Sequence, residues 1–132
     1  MAHAPWASIG GDLLRLANWT SAAEQGGVAG HNAVTDGSPI TLTGIPSVWS
    51  NWYGHRLQFA GFPHCDETLA LGNPGPGCIV LYRRDSTLGA VFAIDPGAVV
   101  LGLRELIGVP GSWHDAGSCV GMGQAASAPR TA

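Results

Sequence analysis

Two apolar stretches on either side of residue 85 are the clearest pattern in the chain. Residues 78–83 and 88–94 are mostly apolar, and the polar pair Asp85 and Ser86 separates them. Short β-prone runs joined by a polar dipeptide predict a β-hairpin. Upstream, polar and apolar residues alternate over residues 56–59. This predicts a half-buried strand, because side chains on a strand alternate between its two faces.

A weaker strand over residues 68–71 and a turn over residues 73–77 connect these two regions. The turn segment contains two prolines and two glycines, which are residues that favour turns. The pattern also becomes strand-like from Val48 onward. Together these segments predict an antiparallel sheet of about four or five strands.

Two helices are predicted beside the strands. Ser21 and Glu24 have capping-box spacing, so a first helix is expected to begin there. Three glycines fall inside it, and each costs about 1 kcal/mol relative to alanine. Asp95 and Pro96 suit an N-cap and a first helical position, so a second helix is expected to run to about Ile107. Its predicted apolar stripe comprises Val99, Leu103, Leu106 and Ile107.

The order of these elements predicts an α+β fold, an antiparallel sheet with helices packed against it. Residues 1–108 are expected to form one domain of this class. Residues 109–132 are rich in Gly, Ser and Ala, and we expect them to form a partly disordered tail. The total of 132 residues is typical of one domain.

Composition and charge exclude several classes of protein. Charged residues make up 11% of the chain and hydrophobic residues 45%, which is a globular composition. No continuous apolar run is long enough for a transmembrane helix, and no signal-peptide pattern is present, so a cytoplasmic protein with reduced cysteines is expected. The net charge is -3 and there is no lysine, which argues against nucleic-acid binding.

Four segments of the chain occur in a characteristic order. They are residues 15–26 (RLANWTSAAEQG), 45–54 (IPSVWSNWYG), 57–61 (LQFAG) and 80–94 (VLYRRDSTLGAVFAI). The set resembles the C-terminal domain of FAD-dependent ferredoxin reductases, the putidaredoxin reductase and rhodocoxin reductase family. The first family pattern is Arg-(Val/Leu)-Glu-x-Trp-x-x-Ala-x-x-Gln, and the second is Val-Pro-x-Phe-Trp-Ser-Asp-Gln-Tyr. The resemblance runs from about residue 2 to residue 108.

The resemblance implies a domain that works beside an FAD domain and an NAD(P)H domain. It implies that Trp19, Gln25 and Trp49 face the flavin, since the matching family positions lie near the ring. The implied reaction is hydride transfer from a nicotinamide to FAD, followed by single-electron transfer to a two-iron ferredoxin. Aromatic faces and a few fixed polar groups suit such a flat ring.

The sequence also departs from the family. It has no Gly-x-Gly-x-x-Gly fingerprint, so FAD is expected to bind only with a complementing domain. We expect the chain to be inactive alone, which leaves open whether it is an enzyme. Ala17 replaces the family glutamate, and a Gly-Asp pair that touches FAD in the family would fall before Met1. We therefore expect that the chain begins inside a longer ancestral gene.

Arg56, Arg83 and Arg84 are candidates for partner binding. They are half of the six arginines, and a small basic face would suit an acidic ferredoxin by complementary charge. The simpler interpretation is a solvated strand edge and turn, where such charges contribute little.

Two other polar clusters are weaker candidates. Residues 64–67 (HCDE) are followed by Cys78, but a zinc site has two separated ligand pairs. A charged turn is therefore expected there, and no metal site. His114 and Asp115 lie near Ser118, but their glycine-rich segment lacks the rigid support that a catalytic triad needs.

Three functions follow from these observations. The first is a component of an NAD(P)H–FAD–ferredoxin electron-transfer system. The second is a stand-alone binding or assembly module, homodimeric or partner-bound, because a large bare apolar surface must be covered. The third is a small enzyme that uses the former flavin cleft. Its candidate residues would be His55, His64, Asp66 and Glu67.

Overall fold

The computed structural model describes residues 7–9, 12–14, 17–62, 64–95 and 97–121. The chain divides into two units, residues 1–48 and residues 49–132. In the first unit, strands β1 (Ala7–Ile9) and β2 (Asp12–Leu14) pair antiparallel, and helix α1 spans Trp19–Val34. The family-like residues around Trp19 therefore begin a helix of four turns.

Helix α1 begins three residues earlier than the capping-box pattern predicts. Its N-cap is Asn18, whose Oδ1 accepts a hydrogen bond from the Ser21 amide at 2.9 Å. Asparagine is among the preferred N-cap residues because its short side chain reaches the free amides of the first turn. Ser21 is a buried residue inside the helix, so the prediction that it caps α1 is wrong.

Five strands form the sheet of the second unit, in the order β3-β4-β7-β6-β5. The strands are β3 (Ser47–Trp52), β4 (His55–Gly61), β5 (Glu67–Leu71), β6 (Ile79–Arg84) and β7 (Thr87–Ile94). The sheet is antiparallel. This confirms the predicted α+β fold, including the hairpin that turns at Asp85 and Ser86.

Strand β7 is the centre of this unit. It pairs with β4 and β6, and helices α2 (Gly97–Arg104) and α3 (Ser112–Cys119) both pack on it. Val91 lies opposite Leu81 of β6, and both side chains are fully buried. Burying an aliphatic side chain of this size stabilises the fold by roughly 1.5–3 kcal/mol. The other core residues include Ala60, Leu88, Ala90, Ala93, Leu103 and Ile107.

Glycine is required where β4 approaches β7 most closely. Gly61 has φ +99°, and a Cβ atom there would lie 2.3 Å from the carbonyl oxygen of Gly89. A side chain at residue 61 would therefore both strain the backbone and collide with the neighbouring strand.

Helix α2 is shorter than the sequence predicts. It ends at Arg104, and amides of Leu106 and Ile107 bond to carbonyls three residues earlier, which is 3₁₀-type bonding. The buried stripe contains Val100 with Leu103 and Ile107, while Val99 is half-buried. Pro96 lies outside the described residues.

Helix α3 lies in the segment whose composition predicts a tail. The Ser112 Oγ is buried and accepts a hydrogen bond from the Leu88 amide at 3.0 Å. The Trp113 amide donates to the carbonyl of Ser86 at 3.1 Å. The start of α3 is thus fixed to the β6–β7 hairpin, although residues 122–132 of the predicted tail lie outside the described residues.

Candidate functional site

The strongest surface feature of the second unit is a group of exposed aromatic residues on the β3–β4 hairpin. Trp49 and Trp52 on β3 are 55% and 65% exposed, and Tyr53 in the turn is 95% exposed. Large aromatic side chains usually bury most of their area. Their exposure together on one edge strand and its turn therefore marks this hairpin as the candidate recognition surface.

The turn itself explains how the aromatic residues are presented. Tyr53 and Gly54 both have positive φ, 49° and 84°, as in the type I′ turns that close two-residue hairpins. The rings of Trp52 and Tyr53 meet edge-to-face, with centroids 5.9 Å apart. This contact stabilises the exposed tip of the hairpin.

A cation–π contact fixes the other tryptophan. The guanidinium carbon of Arg56 lies 4.8 Å from the ring centroid of Trp49, within the range of a favourable cation–π interaction. The contact holds one ring face against a positive charge. Such a pair suits a flat, electron-rich or anionic group.

Asp95 joins this hairpin to the end of β7. Its Oδ1 accepts from the Arg56 amide and its Oδ2 lies 2.8 Å from Nδ1 of His55. The Asp95 amide also donates to the carbonyl of Arg56. The hydrogen bond from the Arg56 amide is the main cause that lowers the pKa of Asp95 below its usual value, and the hydrogen bond with His55 is the second cause. Asp95 therefore anchors β4. Both of its carboxylate oxygens contact residues of that strand, whereas the sequence predicts that this side chain caps α2.

The structure places the three predicted flavin-facing residues on two elements. Trp19 is the first residue of α1 and is 84% exposed, while Gln25 is half-buried further along the same helix. Residues six positions apart on a helix point about 120° apart, so these two do not share one face of α1. Trp49 lies on β3 in the second unit. Their role toward a flavin stays a prediction.

The three predicted partner-binding arginines do not form one patch. Arg56 bonds to Asp95 just after β7, whereas Arg83 pairs with Leu88 near the start of β7. These positions are about 20 Å apart at the usual rise of a strand. Consecutive strand residues point to opposite faces, so Arg84 lies on the other side of the sheet from Arg83. The partner-binding role of these arginines stays a prediction.

Arg83 has a structural role instead. Its Nη2 lies 2.8 Å from Glu67 Oε2, and its guanidinium carbon lies 5.8 Å from the Trp113 ring centroid. Its Nε is buried without a hydrogen-bond partner among the described residues. Arg83 thus links β5 to helix α3, a contact that the sequence does not reveal.

The acidic residues at the start of β5 also make contacts within the fold. Asp66 Oδ2 accepts from the Asp85 amide at 2.7 Å, and Glu67 pairs with Arg83. In the described part of the chain, no group of three His, Cys, Asp or Glu side chains is placed to hold a metal ion. Asp66 thus holds the β6–β7 turn, and Glu67 holds Arg83 of β6.

On the sheet, Tyr82 of β6 lies beside Phe59 of β4, with ring centroids 5.8 Å apart in an edge-to-face arrangement. Burial is the main cause that raises the pKa of Tyr82, and the charge of Cys65 adds to it. Tyr82 therefore remains a neutral phenol at neutral pH. Its ring packs against Phe59.

Comparison with known proteins gives two kinds of match. A family model described as reductase C-terminal matches residues 47–117, from β3 into α3. No curated protein sequence matches the chain significantly. None of the described helices is long and apolar enough to cross a membrane.

Several solved structures share the fold, and two of them serve for comparison. The crystal structure of Fdr9 aligns with a TM-score of 0.58 and 23% identity, covering 77% of this chain and 28% of that chain. The covalent putidaredoxin reductase–putidaredoxin complex aligns with a TM-score of 0.60 and 17% identity, covering 76% and 24%. This chain thus spans about a quarter of the length of each solved chain.

Proposed function

Since the chain belongs to the family of reductase C-terminal domains, we propose that it is the C-terminal domain of an FAD-dependent ferredoxin reductase system. The proposal rests on the family match over residues 47–117. It requires an FAD domain and an NAD(P)H domain, in the same polypeptide or in another. Without them the chain is inactive.

The hairpin residues fit one side of a flavin. Trp49 offers an exposed indole, and Arg56 places a positive charge against it. An aromatic face with a nearby cation suits the flat ring system. Bound FAD would supply the hydride and electron chemistry, while this chain would orient the ring and exclude water from it. The phosphates of FAD would be held by the complementing domain, as would the nicotinamide.

A ferredoxin is the proposed protein partner. One of the solved structures that share the fold is a reductase in complex with putidaredoxin. Arg56 is the arginine that lies beside the exposed aromatic residues. Complementary charge would steer an acidic ferredoxin toward it. We propose a cytoplasmic setting for this system.

Complementation tests the proposal. The purified chain is mixed with FAD and NAD(P)H domains of a related reductase, and NAD(P)H-dependent ferredoxin reduction is measured. We expect activity only in the mixture. FAD affinity of the mixture is followed by tryptophan fluorescence in Trp49→Ala and in the matched variant Trp52→Ala, which lose one indole each. A loss of about 10-fold or more for Trp49→Ala alone corresponds to at least 1.4 kcal/mol.

Failure of the mixture to reduce ferredoxin would contradict the proposed reductase function. Equal FAD affinity in both variants would contradict the flavin-facing role of Trp49. Saturable FAD binding by the chain alone would contradict the need for a complementing domain.

A second candidate function is supported by the exposed residues Trp49, Trp52 and Tyr53. In this alternative the chain is an assembly module that binds a protein, including a second copy of itself, without redox activity. A colourless protein that associates through the β3–β4 hairpin would favour it over the reductase function.

A further inference from the structure

We propose that strand β3 is a self-pairing edge, through which two copies of the chain join their sheets into one. This inference rests on the assembly role proposed above and names its surface. β3 is the first strand in the sheet order, so one side of its backbone lacks a neighbouring strand of this sheet. Edge strands of this kind are templates for pairing with another strand.

The composition of β3 supports a strand partner of neutral charge. Its sequence, SVWSNW, contains no charged residue and no proline, and five of its six residues are exposed. Natural edge strands usually carry charges or proline to prevent such pairing. The opposite edge, β5, begins with Glu67, which is paired with Arg83. Only β3 therefore presents an unprotected edge in the described sheet.

Symmetry limits the registers that the pairing can take. A two-fold axis perpendicular to the sheet keeps equivalent faces on the same side, so residues pair only with residues that share their face. With the axis at Ser50, Val48 lies opposite Trp52 of the second copy, and Trp49 lies opposite Asn51. Pairs of aromatic and β-branched residues stabilise antiparallel strands. A strand of the same sequence therefore fits this edge without any further partner.

The predicted dimer is weak. Trp49 and Trp52 are little more than half exposed, so two copies bring about 500 Å² of indole surface to the contact. Stable interfaces bury at least about 1,200 Å² in total. We therefore expect a dimer that forms at high protein concentration and dissociates on dilution.

Sedimentation velocity of the full chain tests this pairing between about 5 and 500 µM, a range that brackets weak association. We expect the wild-type chain to shift from monomer to dimer across it. Ser50→Lys would place two like charges opposite each other at the axis, and like charges opposite each other oppose pairing. We expect its dissociation constant to rise at least about 10-fold. Thr68→Lys adds the same charge to β5, and we expect it to leave the dimer unchanged.

Three outcomes would overturn the proposal: a monomer at every concentration, a Ser50→Lys chain that dimerises like wild type, or an equal loss in Thr68→Lys. If Ser50→Lys fails to fold, amide exchange of the wild type decides. Protection of β3 amides must rise with protein concentration, and unchanged protection would refute the pairing. Neither measurement uses FAD, so a failed dimer leaves the complementation result standing, and the reverse also holds.

Discussion

Asp95 is the residue through which the candidate site is tied to the core. Its amide donates to the Arg56 carbonyl, its Oδ1 accepts from the Arg56 amide, and its Oδ2 contacts Nδ1 of His55. Its φ of 70° is uncommon for a residue other than glycine. A single residue thus positions both the cation that contacts Trp49 and the first residue of β4.

Replacing Asp95 should make the free energy of unfolding depend less on pH. Its pKa is lowered in the folded chain, so the stabilisation is present above the usual Asp pKa of about 4 and is lost as pH falls through the lower folded value. We expect Asp95→Asn to be less stable than wild type at pH 7, with the difference shrinking near pH 3. Urea unfolding at both pH values measures this.

Asp36→Asn, in an exposed loop, is the control and should leave the pH profile unchanged. A constant difference between wild type and Asp95→Asn across the two pH values would show that the carboxylate charge does not stabilise the hairpin anchor.

The positions of individual residues show where inference from sequence stops. Arg83 and Arg84 are adjacent in the chain, yet alternation places them on opposite faces. Arg56 reaches neither, because β4 and β6 are separated by β7. The resemblance identified Trp49, but the contact between Trp49 and Arg56 depends on strand pairing. Sequence order alone does not give that pairing.

At the scale of elements, the hydrophobic pattern predicted the strands and helices that bury one face. The β6–β7 hairpin was predicted because two apolar runs flank a polar pair. Helix α3 was missed because its sequence, SWHDAGSC, has no apolar stripe. Its position depends instead on backbone and side-chain bonds to Leu88 and Ser86. Hydrogen bonds between distant segments of this kind leave no periodic pattern in the sequence.

Ser112→Ala tests the anchor of α3. The change leaves the buried Leu88 amide without its acceptor, and an unsatisfied buried group costs about 1–3 kcal/mol. Ser118→Ala is the matched control on the same helix, since Ser118 is exposed and its Oγ donates to the His114 carbonyl within α3. It should change the free energy of unfolding by less than about 0.5 kcal/mol. Similar losses in both variants, measured by urea unfolding, would refute this role of Ser112.

At the scale of the whole molecule, the two units differ in how much they bury. In α1 the buried residue is Ser21, whereas β7 carries Leu88, Ala90, Val91 and Ala93 in the core. Regions with few buried contacts open locally at lower free energy. The resistance of the chain to opening should therefore be uneven along its length.

Native-state amide exchange measures this unevenness. We expect α1 amides to exchange faster than those of β6 and β7, at a free energy well below that of global unfolding. Equal protection of α1 and β7 would show that the chain opens as one cooperative body.

The strand order also has a consequence for the path by which the chain folds. Strands β5, β6 and β7 follow one another through short turns, so their pairing closes small loops and costs little chain entropy. Pairing of β4 with β7 must wait for a longer closure. The meander of β5, β6 and β7 is therefore the natural nucleus. The β3–β4 hairpin, which a two-residue turn closes, joins it later through the pairing of β4 with β7. Substitutions in the β3–β4 hairpin would then alter the unfolding rate and leave the folding rate nearly constant.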